Sequence, residues 1–179
     1  FARKVDWSTR QLAALASEPK VLGPGEYRTY LAPRAIEELM TILSWYGAFG
    51  RRAHETKQTP FLRMLAGEAA LSPEVSISEH TAEGVAPNFQ SSGFLRPDRV
   101  ELIVDGRLND TLVSPRSAQE YGVPTNGADG GEWPQSIALD PGSIPTDGVA
   151  EALDTGLFVG NLWYLNFSDI SACRTTGMT

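Results

Sequence analysis

The chain has 179 residues, with 41% hydrophobic and 21% charged residues. That is enough apolar chain to bury a core without a disulfide or metal staple, and it excludes intrinsic disorder. Fifteen Lys+Arg against 22 Asp+Glu leave a net charge of −7, which repels phosphate backbones and argues against nucleic-acid binding.

The elements follow in chain order. Leu12, Leu15 and Ala16 recur at helical spacing and predict a helix from Trp7 to Ala16, capped by Ser8 or Thr9 and ended by Pro19. Gly23-Pro24-Gly25 is a turn, and Glu26 to Leu31 reads as a strand rich in β-formers. Pro33 suits a first helical turn, because its missing N–H would have no partner there anyway. A helix from Arg34 to about Tyr46 follows, with Ile36, Leu39, Met40, Leu43 and Tyr46 on one face and Glu37 and Glu38 near its positive end. A shorter helix is expected from Pro60 to Ala66, with Phe61, Met64 and Leu65 inward.

Val75 to Ser78 alternates like a half-buried strand, and Thr81 to Pro97, with its Gly and Pro residues, reads as a loop. Arg99–Val104 and Arg107–Val113 flank Asp105-Gly106, the dipeptide a type I′ hairpin prefers because both turn positions need positive φ. Val100, Leu102 and Val104 should share a face. Ser114-Pro115 opens a short helix to Tyr121 that Gly122 ends. Gly122 to Trp133 reads as a mobile surface loop, and Gln135 to Leu139 as a short strand. A helix is expected from Pro145 to Leu153, with Thr146 or Asp147 at its start. Gly156 to Phe167 is one strongly β-forming stretch, with Ser171 to Thr176 as its antiparallel partner. Trp163 and Tyr164, with Phe158 and Phe167, read as core or interface rather than a base-stacking platform. Helices interleaved with hairpins predict an α+β fold of mainly antiparallel sheet in a single unit over residues 1–179.

Motifs for chemistry are sparse. His54-Glu55 begins like a zinc-peptidase helix, but the next histidine is His80, beyond breaks at Pro60 and Pro73. The pair reads as a solvated connection after a helix. His80 sits at a strand end without an evident ligand set. Cys173 lies in a strand pattern, far in sequence from either imidazole that could act as its base, and reads as a buried structural thiol. Gly127 to Gly131 lacks phosphate-loop spacing. No residue emerges as catalytic, cofactor-binding or metal-ligating. No apolar run reaches the ~20 residues of a membrane span. A single cysteine and the lack of an apolar leader suit a cytoplasmic setting. The chain opens Phe1-Ala2-Arg3-Lys4 and ends on Gly177-Met178-Thr179, and reads as a piece of a longer protein.

Three stretches carry a family resemblance: Pro24 to Ala35, Arg99 to Gly122, and Leu139-Asp140-Pro141-Gly142-Ser143 through Gly156-Leu157-Phe158-Val159 to Thr179. Together they cover most of the chain, and the third is the most specific. They resemble the C-terminal domain of the TldD/PmbA (TldD/TldE) family, once labelled modulators of DNA gyrase. The resemblance implies a two-domain α+β chain of which the N-terminal domain and the C-terminal end are absent here. It also implies a relation to metallopeptidases acting on unfolded or leader peptides. In that family one member of a paired complex carries a His-Glu-x-x-x-His zinc helix and the other lacks it. The corresponding helix here, near Arg34 to Ala48, has no histidine, and Thr59 stands where a second ligand after His54-Glu55 would fall. The chain therefore resembles the TldE/PmbA type. The implied partners are a zinc-bearing TldD-like subunit or a second copy, with a peptide that could add as a strand to an open sheet edge. Two other readings stand beside it: an active peptidase using His54, Glu55, His80 or Cys173, and a regulatory binding module with no proteolytic role.

Overall fold

A computed structural model describes residues 1–145 and 148–179. The expected helix start at Thr146 or Asp147 lies outside the described residues.

The first helix, α1 (Ala2–Leu15), begins five residues earlier than its apolar spacing suggests. It leaves Leu12 and Leu15 largely exposed. Strand β1 is only Thr29–Leu31 and leads through Ala32 into α2 (Pro33–Trp45), with Pro33 in the first turn as expected. The most buried residues of α2 are Ala35 and Ile42. Met40 and Leu43 pack on the core, while Ile36 and Met40 also line an open groove. The wider buried arc arises because α2 is covered from two sides. Its far end meets the C-terminal ribbon, where Tyr46 stands edge-on to Phe167 at a ring separation of 4.9 Å.

Two short helices, α3 (Arg51–Glu55) and α4 (Leu62–Leu65), follow. Phe61 is buried and meets Phe49 edge-on at 5.8 Å, but Leu65 is exposed, contrary to its inward assignment. Helix α4 has barely one turn, too short to turn three apolar residues to the core.

The central sheet contains β2 (Ile77–Glu79), β3 (Val100–Val104), β4 (Arg107–Leu108) and β5 (Ile137–Leu139), in the order β4-β3-β2-β5, all antiparallel. Asp105 and Gly106 have φ of 49° and 74°, as a type I′ turn demands. Gly106 is needed twice over, since a Cβ there would collide with the carbonyls of Leu71 and Ser72. In β3 both Leu102 and Ile103 are buried while Val104 is only half-buried. The core thus takes residues from both faces of this central strand. Ile77, Leu102, Ile103, Phe49, Phe61 and Leu112 form its centre. Each such side chain contributes roughly 1.5–3 kcal/mol by leaving water.

Helix α5 (Pro115–Tyr121) forms as expected: Ser114 Oγ accepts from the Ser117 N–H, and Gly122 ends it in the left-handed conformation. The segment from Gly122 to Trp133 is a loop, as expected, but it is tied into the core rather than lying on the surface. Asn126 Oδ1 accepts from Val113 N at 2.8 Å, its Nδ2 donates to Thr111 O at 2.7 Å, and Ala128 is buried in the core. Side-chain amides do there what strand pairing does elsewhere, and composition does not register that.

Beyond α6 (Val149–Leu153), the stretch read as one long strand is two: β6 (Leu157–Val159) and β7 (Trp163–Asp169). Strand β6 pairs in parallel with β1, stacking Phe158 on Tyr30 at 5.3 Å, whereas β7 turns away to form an antiparallel ribbon with β8 (Arg174–Met178). Trp163 and Tyr164 are well exposed on that ribbon and do not belong to the core. The architecture is α+β, mainly antiparallel, with one short parallel pair that sequence reasoning missed.

Candidate functional site

The residues singled out for chemistry lie apart. His54 and Glu55 sit on α3, Glu55 paired with Arg51. The His54 ring nitrogen Nε2 lies 2.7 Å from the carbonyl of Ala48. Burial is the main influence on this imidazole and pushes its pKa down, partly countered by that hydrogen bond. A neutral ring donating to a backbone carbonyl is a structural strut. His80 follows β2, with Nε2 4.0 Å from a Glu83 carboxylate oxygen. Cys173 is not in a strand: it is exposed in the β7–β8 turn with φ 51°. Desolvation raises its pKa, which lowers the thiolate fraction that nucleophilic attack requires. Among the described residues no three of His, Cys, Asp and Glu converge as a metal ion would require.

Two carboxylates passed over in the sequence prove to be central. Glu79, on β2, is buried and accepts from the backbone N–H groups of Gln135 and Ser136 at 3.0–3.1 Å. Glu132, also buried, has φ 54°. It accepts from Arg52 N at 2.7 Å, Ser114 N at 2.9 Å and Ser114 Oγ at 3.0 Å. Both satisfy backbone donors that would otherwise be orphaned, which accounts for acidic groups inside the protein. A clue was the isolation of Glu132 between Gly131 and Trp133, in a segment otherwise free of charge after Asp129.

These carboxylates hold the approach to strand β5, and beside β5 lies a concavity of about 380 Å³, between it and α2. Ile36, Met40 and Trp45 form one wall, and Trp133, Ile137 and Leu139 the other. Trp45 is 69% and Trp133 49% exposed, so two indoles face solvent at the groove. Thr41, Ser44 and Gln135 supply polar points, while the Glu37 carboxylate at the rim is paired with Arg34 at 2.7 Å.

Strand β5 ends the sheet. On its inner side, Asp140 N donates to Ser76 O at 3.0 Å and His80 N to Ser136 O at 2.8 Å. In an antiparallel ladder hydrogen-bonded pairs alternate with non-bonded ones. Ser76–Asp140, Ser78–Ala138 and His80–Ser136 are then the bonded pairs. Ile137 and Leu139 therefore turn their N–H and C=O groups away from β2, toward the open edge. An apolar groove beside a strand edge that has no strand partner among the described residues suits an extended chain, which can pair with the backbone and seat alternate side chains in the groove.

The chain matches, over residues 24–178, the family described as PmbA/TldA metallopeptidase C-terminal domain. No curated protein matches it. Among solved structures it is similar to a protein from Thermotoga maritima described as a candidate modulator of a DNA gyrase: 19% identity and TM-score 0.65, with 81% of this chain and 34% of that one covered. A candidate modulator of DNA gyrase from Bacteroides thetaiotaomicron shares 19% identity and TM-score 0.65 over 88% of this chain and 38% of its own. TldE from Thermococcus kodakarensis shares 16% identity and TM-score 0.63, over 83% and 36% respectively. At these identities the likeness is one of fold. The chain spans roughly a third of the length of each.

Proposed function

The chain belongs to the PmbA/TldD metallopeptidase family, and from that membership we propose that it is part of a TldE/PmbA-type subunit that holds an extended peptide for cleavage by a zinc-bearing partner. The open edge of β5 beside the α2 groove carries the proposal. A peptide there would form backbone hydrogen bonds with Ile137 and Leu139 and lay apolar side chains between Trp45 and Trp133.

The family implies zinc, and the residues present do not fit that ion. Helix α2, where the zinc helix of the catalytic type is expected, reads Pro33 to Trp45 without a histidine. His54 Nε2 faces the Ala48 carbonyl, and His80 stands on a different element. A zinc site needs three protein ligands in tetrahedral placement, so no hydrolytic step is assigned to this chain. Its contribution is binding and orientation, which confine a flexible substrate before chemistry occurs elsewhere.

The full-length protein, copurified with a zinc-bearing relative and assayed on an unfolded peptide, tests the reading. Cleavage should require both proteins, with zinc stoichiometric to the relative alone. Cleavage by this protein alone, with zinc bound to it, overturns the assignment.

A further inference from the structure

Four buried side-chain polar atoms lack a hydrogen-bond partner among the described residues, and three of them, Ser78 Oγ, His80 Nδ1 and Ser136 Oγ, lie on neighbouring positions of β2 and the entry to β5. Ser78 and His80 are two residues apart and share one face of the sheet. Ser136 stands directly opposite His80, whose N–H it accepts at 2.8 Å, so its side chain emerges on that same face. This is the face opposite Ile137 and Leu139, hence separate from the groove. Ser78 is fully buried, and its partner across the ladder is Ala138, which carries no polar side-chain group.

The turn after β2 closes over these groups. Gly84 N donates to the carbonyls of His80 and Thr81, at 3.0 and 3.3 Å. Its Cα sits so close to Ser136 that a Cβ would overlap the Ser136 hydroxymethyl group. Gly84 thus covers Ser136 without a side chain of its own, while Glu83 of the same turn stands 4.0 Å from the other ring nitrogen of His80, Nε2.

Leaving three buried polar atoms unsatisfied would cost on the order of 1–3 kcal/mol apiece. The set consists of two hydroxyls, each donor and acceptor, and an imidazole nitrogen. That set lacks the carboxylates or thiolates a divalent cation favours, but it matches water, which offers two donors and two acceptors. Buried waters typically make about three such bonds. We infer that Ser78 Oγ, His80 Nδ1 and Ser136 Oγ jointly bind one ordered water molecule, which ties the 81–84 turn to the edge strand. The site is independent of the peptide-binding reading.

Crystallography of the unaltered protein at a resolution that shows ordered solvent tests this directly. One well-ordered water within hydrogen-bond distance of all three atoms is expected. A dry site, or direct pairing of the three side chains with one another, overturns the inference. Ser78→Ala, Ser136→Ala and the double variant supply a second readout in urea unfolding. A shared water makes the effects non-additive, by about threefold or more in the unfolding equilibrium constant, and additive effects count against it. Should a variant fail to fold, the crystallographic result decides.

Discussion

Glu132 accepts a hydrogen bond from the backbone N–H of Arg52, 80 residues away in the chain, at 2.7 Å. The same carboxylate accepts from Ser114 through both its N–H and its hydroxyl. One side chain thereby joins the first turn of α3 to the N-cap of α5, and the loop that carries it leads directly into Trp133 and β5.

Replacing Glu132 by Gln keeps the volume but turns one acceptor into a donor, facing N–H groups that also donate. A loss of about 2–4 kcal/mol is expected, since buried hydrogen bonds to charged groups are worth about 1.5–3 each and the opposed donors add a penalty. Urea unfolding followed by tryptophan fluorescence measures it. A change below about 0.5 kcal/mol would show that the clamp contributes little, in line with ordinary surface substitutions.

Gly106→Ala should be as damaging. The residue occupies φ 74°, and the added methyl meets two carbonyl oxygens of the 71–72 segment. Left-handed strain and overpacking each cost about 1–3 kcal/mol, so a total of about 2–6 kcal/mol is expected in the same assay. Asp105→Asn, which keeps a residue tolerant of positive φ, should shift stability by less than about 1 kcal/mol.

His54 predicts a pH dependence. Its folded pKa lies below the unfolded value of 6.5. Above that value both states hold a neutral ring and the group contributes no pH slope. As pH falls below 6.5 the unfolded chain binds the proton first, so stability declines until the folded-state pKa is reached. Denaturation midpoints between pH 7.5 and 5 should fall in the native protein, and His54→Gln should flatten part of that slope. An unchanged slope in the variant would remove His54 as its source.

The groove offers a test that separates binding from folding. The Leu139 N–H points to the open edge, so Leu139→Pro removes a donor that β2 does not use. Affinity for an extended peptide should fall about five- to tenfold, the equivalent of one lost hydrogen bond of about 1 kcal/mol plus steric exclusion. Trp133→Ala should weaken the same interaction through lost apolar contact. Fluorescence anisotropy with a labelled unfolded peptide reads both, with the unfolding midpoint as control. Unaltered affinity in both variants would place the peptide elsewhere.

Local signals were legible wherever the cause was local. Ser114 and Gly122 bracket α5, Asp105-Gly106 makes its turn, and Pro33 starts α2, because each depends on backbone conformations that a few neighbouring residues impose. Leu65 was misjudged as an inward position because apolar spacing records the capacity to bury a face, not the presence of something to bury it against. The Gly122–Trp133 loop was misplaced on the surface for the converse reason: Asn126 and Glu132 hold it through partners outside the loop.

Residue order alone determined the α+β class, the tight turns and the helix termini, and it carried the family's landmarks. Only the packed chain decided that β1 lies parallel to β6, that β5 is the outer strand, and that Glu79 and Glu132 lie inside. The reason is physical: caps and turns are settled by nearby backbone sterics, whereas strand neighbours and the partners of a buried charge depend on which distant segments share the same core.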